Sequence, residues 1–186
     1  MSGRSYMLAA RMPMSREAFE AWLDEPAPGV EAIANPGAVW DEWTPAYASE
    51  TARERLAIRG AAGFALARHR DGVLELYLYD YYYSPGVAQS ELLLLAAAGR
   101  RAEAESAVMF WGGNVYPDLP LGGDEPIAVL LTGPDGARFT DRYRLSALLE
   151  HLRPVETAFL AAAGAGDEDA TWNPDGMVDP ALQPAG

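Results

Sequence analysis

Residues 62–83, AGFALARHRDGVLELYLYDYYY, decide the fold. Two apolar runs, 62–69 and 73–83, flank Arg70-Asp71-Gly72, and an Asp-Gly pair suits the positive φ angles that a two-residue primed turn demands. With Asp71-Gly72 as the turn, Arg68 lies across from Glu75, Leu66 from Tyr77 and Phe64 from Tyr79. On the other face Ala67 meets Leu76 and Ala65 meets Leu78. A three-residue turn would slip this register by one and exchange the faces, but the charge match of Arg68 with Glu75 supports the first arrangement. Both faces are apolar, so the hairpin is expected at the centre of a sheet.

Upstream, residues 6–11 read as a first strand. Ser15 is an N-cap with Glu17 in the first turn, and Phe19, Trp22 and Leu23 form one apolar stripe of a helix that stops before Pro26. Pro28-Gly29 and Asn35-Pro36-Gly37 mark a long loop over 26–45. A short helix over 49–59 should carry Arg and Glu on its wet side. Downstream, Ser84-Pro85 opens an apolar helix running to Arg101. Strands follow at 107–111, at 127–132 and, as an edge, at 138–143. The 3.6-residue period of Leu145, Leu148, Leu149, Leu152, Val155, Phe159, Leu160 and Ala163 writes a last helix that Pro154 kinks or divides.

The expected architecture is α+β: a mainly antiparallel sheet with central strands 73–83 and 127–132, packed by helices 86–101 and 145–163. Residues 1–163 form one domain, and the acidic stretch 164–186 is expected to be a mobile tail.

The chain has 186 residues, 14 basic against 27 acidic, for a formal charge of -13. It contains no cysteine, which excludes disulfides, thiolate nucleophiles and thiolate metal sites. It also contains no lysine, all 14 cations being arginine, which excludes Schiff-base and P-loop chemistry. The negative field would repel a phosphate backbone, so nucleic acid is not an expected partner. The apolar run 92–99 is far short of the ~20 residues a membrane span requires, and residues 1–14 lack a continuous apolar export core. A cytoplasmic protein is expected, with no membrane partner.

The acidity is local. Residues 16–50 hold Glu17, Glu20, Asp24, Glu25, Glu31, Asp41, Glu42 and Glu50 against Arg16 alone, and residues 164–186 hold five acids and no base. Within the first segment, Trp40-Asp41-Glu42-Trp43 sets two indoles around two carboxylates on a loop. At the end of the long strand, Asp80-Tyr81-Tyr82-Tyr83 repeats the combination. Tyrosine gives a large contact area at low entropic cost and keeps a polar tip, which is why interfaces are enriched in it. These eight residues, with the loop acids Asp118, Asp124 and Glu125, are the candidate partner-binding set. They suit a basic protein partner, steered by charge and retained by buried rings.

Catalytic signatures are weak. His69 and His151 have no metal-ligand spacing to other donors, no serine sits in a nucleophile elbow, and Asn173-Pro174-Asp175-Gly176 with Asp179 lacks the third early ligand and the closing Glu of a calcium loop. No cofactor or metal is expected. Among many carboxylates, Asp80 with Asp118 or Asp124, each beside aromatics, is a candidate pair for a small carboxylate-dependent hydrolase. An accessory component of a secretion system, self-associating through an apolar strand face, is a third class.

In single-domain size, acidity and the aromatic-acidic segments 40–43 and 80–83, the chain resembles the bacterial immunity proteins of type VI and polymorphic-toxin systems. The resemblance is one of character, and no family site is transferred by it. It implies a non-enzymatic inhibitor that binds one cognate cationic toxin by plugging its cleft or holding it inactive.

Overall fold

The computed structural model describes residues 5–62, 65–80, 84–113, 127–162 and 177–183. These form a six-stranded antiparallel sheet with four α-helices, an α+β fold as expected. The elements in chain order are β1 (Ser5–Pro13), α1 (Arg16–Leu23), α2 (Ala52–Ala61), β2 (Ala65–Arg70), β3 (Val73–Asp80), α3 (Pro85–Arg100), β4 (Ser106–Gly113), β5 (Ile127–Gly133), β6 (Gly136–Thr140) and α4 (Leu145–Ala162). The strand order is β2-β3-β1-β4-β5-β6.

The β2–β3 hairpin has the expected register, Arg68 opposite Glu75, Leu66 opposite Tyr77, Ala67 opposite Leu76 and Ala65 opposite Leu78. Its turn has φ of 51° at Asp71 and 75° at Gly72, the left-handed pair of a type I′ turn. The expected pairing of Phe64 with Tyr79 lies outside the described residues.

The hairpin is not the centre of the sheet. β1 and β4 are the middle pair, β3 and β5 are their outer neighbours, and β2 is an edge. The physical reason is the side chains of β1: Tyr6, Met7, Leu8, Ala9, Ala10 and Met12 are all buried, so both its faces are covered, and β3 and β4 pair along its two edges. Arg68, His69 and Arg70, consecutive polar residues, suit β2 to an edge instead.

Each sheet face carries its own core. Tyr6, Leu8, Ala10 and Met12 with Leu74, Leu76 and Leu78 pack under α1, α2 and α3. Met7, Ala9, Tyr77, Met109 and Trp111 pack under Leu148, Leu152, Val155 and Phe159 of α4. The Tyr77 and Phe159 rings pack against each other, tilted by 31° with centroids 4.4 Å apart. Pro154 lies inside α4 on its exposed side, away from that buried stripe, so the carbonyl it leaves unpaired meets solvent.

Both sheet edges are occluded. Along β2, the Ala67 N–H donates to the Met177 carbonyl at 2.8 Å and the Asp179 N–H to the Ala67 carbonyl at 2.8 Å. Residues 177–183 of the expected tail are therefore docked, with Met177 and Leu182 buried. Along β6, the Ala34 N–H donates to the Ala137 carbonyl at 2.9 Å. Asn35 completes that edge, accepting from the Phe139 N–H at 2.8 Å and donating to the Phe139 carbonyl at 3.0 Å.

Candidate functional site

The segment between α1 and α2 carries Trp40, Asp41, Glu42 and Trp43. It lies on the α3 side of the sheet and is fixed at several points. The two indoles meet edge to face at 5.2 Å. Trp40 packs against Phe110 of β4 at 5.6 Å and Trp43 against Phe139 of β6 at 6.3 Å. The Trp43 indole N–H donates to the Pro36 carbonyl at 3.1 Å. Gln89, buried on α3, accepts from the Thr44 N–H at 2.8 Å and donates to the Glu42 carbonyl at 3.0 Å. Gly86 permits this approach, since a β-carbon there would stand 2.8 Å from the Thr44 carbonyl.

Both tryptophans are half-buried against the chain's own core, whereas Asp41 and Glu42 between them are exposed. The expectation of indoles displayed outward is therefore corrected. Apolar burial holds the rings inward, and they position the backbone while the carboxylates face solvent. No cation pairs with Asp41 or Glu42 among the described residues. Other acids of the segment are neutralised: Glu20 by Arg16 at 3.0 Å, Asp24 by Arg53 at 2.7 Å and Glu25 by Arg101 at 2.8 Å.

Asp80 ends β3 opposite Tyr6, which is itself opposite Gly112 of β4. Trp111, beside Gly112, pairs with Ile127. Asp80, Gly113 and Ile127 thus share one end of the sheet, the end on which Trp40 meets Phe110. The remaining candidates, Tyr81, Tyr82, Tyr83, Asp118, Asp124 and Glu125, lie outside the described residues.

The Asp80 carboxylate accepts from Arg59 of α2 at 2.9 Å and so belongs to a charge cluster that the sequence reading missed. Glu91 of α3 lies 3.2 Å from Arg59 and 3.6 Å from Arg55, and accepts from the Tyr6 hydroxyl at 3.0 Å. Arg55 and Arg59 were expected on the wet side of their helix, yet both are 5 % exposed. The correction has a charge-based cause: the buried Glu91 carboxylate draws two guanidinium groups one helical turn apart onto the core side. Burial raises the Glu91 pKa, against the opposing pull of Arg59, Arg55 and the Tyr6 hydrogen bond. Burial, followed by the Glu91 charge, raises that of Tyr6. A lone Glu at the head of the otherwise apolar run 92–99 was the legible signal.

The two histidines are engaged locally: the His69 ring donates to the Met14 carbonyl at 2.8 Å and the His151 ring to the Arg11 carbonyl at 3.1 Å. Among the described residues, no group of three His, Cys, Asp or Glu side chains is placed to hold a metal ion, and no helix is long and apolar enough to cross a membrane. No family model, no curated protein and no solved structure matches the chain.

Proposed function

We propose that the protein is a non-enzymatic, cytoplasmic inhibitor of the immunity-protein kind, which neutralises a basic protein partner through the loop bearing Asp41 and Glu42. The observation that carries the reading is a pair of exposed carboxylates, without a cation partner among the described residues, on a backbone fixed by Trp40, Trp43 and Gln89. A loop already fixed in place loses little entropy on binding, so its charges act at full effect on a cationic surface.

Two further features support it. Asp80, the anchor of the hydrolase alternative, is engaged by Arg59 in a structural cluster. Both sheet edges and both sheet faces are covered by the chain's own segments, which favours docking on a loop surface over strand addition or self-association through the sheet.

The test is affinity capture from the native cell, or co-expression with the product of the adjoining reading frame. The reading expects a basic protein that co-purifies and loses its toxicity on binding. Turnover of a glycan or ester panel by the partner-free protein would remove it.

A further inference from the structure

Beside the Trp43 loop is a cleft of about 350 Å³, within the ~300–1,000 Å³ range of small-ligand sites. It opens between residues 27–31 and 43–49. Its walls include Trp43, Tyr47, Pro28 and Pro45, and Glu31 is the one acid in its lining among the described residues. The Glu31 carboxylate folds back over the Gly29 backbone, so closely that a β-carbon on Gly29 would overlap it. No cation pairs with Glu31 among the described residues.

We infer that this cleft receives an arginine side chain of the basic partner, with the guanidinium against Glu31 and its aliphatic stem along the proline and aromatic walls. The inference deepens the proposed function and rests on it for the source of the arginine.

Three properties select that occupant. Glu31 is exposed and has no cation partner among the described residues, so the site favours a cation over a neutral or acidic group. The rings of Trp43, Tyr47, Pro28 and Pro45 in its lining suit a planar, weakly hydrated guanidinium better than a compact ammonium. The Tyr47 ring already carries one guanidinium, that of Arg55, 4.0 Å from its centroid, and that charge is answered by Glu91 rather than by Glu31. Among the described residues no cation answers the Glu31 carboxylate, which leaves it for one from outside. Asp41 and Glu42, across the Trp43 anchor, would meet neighbouring charges on the same partner.

The probe is the capped tripeptide acetyl-Gly-Arg-Gly-amide, titrated into the ¹⁵N-labelled full chain beside its citrulline counterpart. Shifts are followed at the Trp43 indole N–H and at the Gly29, Glu31 and Ser49 amides. The arginine peptide is expected to give saturating shifts confined to these signals. The citrulline peptide, and the arginine peptide on Glu31→Gln, should bind about fivefold more weakly or not at all. Glu31 is exposed, so the variant should melt with the wild type.

Absence of saturation, equal binding of the citrulline peptide, or an unchanged titration on Glu31→Gln would each overturn the inference. Because no partner is needed, such a failure is separate from failure to capture one.

Discussion

Arg16 and Asp179, 163 positions apart, form a two-pronged guanidinium–carboxylate pair with both bonds at 2.7 Å. The pair holds residues 177–183 along the outer edge of β2, which they cover. Asp179 also accepts from the His69 N–H at 3.0 Å and the Ala181 N–H at 3.0 Å. Asp179→Ala should cost about 2 kcal/mol, less than a fully buried pair because Arg16 can recover solvent. Urea unfolding would read that loss, and faster hydrogen exchange at the Ala67 and His69 amides would localise it.

The same pair sets an acid limit. Burial raises the Asp179 pKa, but hydrogen bonds from Arg16, His69 and Ala181 outweigh it and leave it below the ordinary 3.8. A carboxyl depressed in the folded state stabilises above its unfolded value and loses that contribution as pH falls through the folded one. Docking of residues 177–183 should therefore persist to about pH 4. Opening well above that pH, seen as amide exchange at Ala67, would contradict the assignment.

Glu91 carries the opposite sign. Its pKa is raised above the ordinary 4.5, chiefly by burial, so its contribution is largest below that value and declines as pH rises through the folded one. The stability margin of wild type over Glu91→Gln should shrink as pH rises above 4.5, measured by urea unfolding at a series of pH values. Arg59→Leu leaves Glu91 and Asp80 without their shared cation and should cost about 3 kcal/mol.

Trp43→Ala removes a half-buried ring from Trp40 and Phe139, together with the bond to Pro36. A loss of about 2 kcal/mol is expected, below the range for a fully buried Trp. The Thr44 amide, held by Gln89, should lose exchange protection with it, whereas Tyr77, on the other sheet face, should keep its native ring environment.

Much of this fold was legible because local chemistry and tertiary packing agree. Asp71-Gly72 fixes the hairpin turn, Ser15 caps α1 by accepting from the Ala18 N–H at 3.1 Å, and the apolar period of α4 marks the stripe it buries. Strand position was not legible, since the apolar faces of β3 and β5 satisfy a second place from the edge as well as a central one. The docking of Met177 and Leu182 was hidden for a related reason: a few apolar residues in an acidic stretch reveal their partners only once β2 presents an open edge. At the candidate site, the exposed carboxylates of Asp41 and Glu42 follow from the sequence, but the inward tryptophans depend on Phe110 and Phe139, which lie far along the chain. Arg55 and Arg59 look like surface cations until Glu91 is placed beneath them.

The central claim concerns two carboxylates on a fixed loop, and the double variant Asp41→Asn/Glu42→Gln isolates them. Both residues are exposed, so its unfolding free energy should stay within about 0.5 kcal/mol of wild type. Calorimetric titration of the captured basic partner, run at low and at high salt, is the direct measurement. The expected result is binding at least about tenfold weaker for the variant at low salt, with the gap narrowing as salt screens the wild-type charges. Equal affinity of the two proteins at every salt concentration, or no binding by the wild type, would contradict the claim.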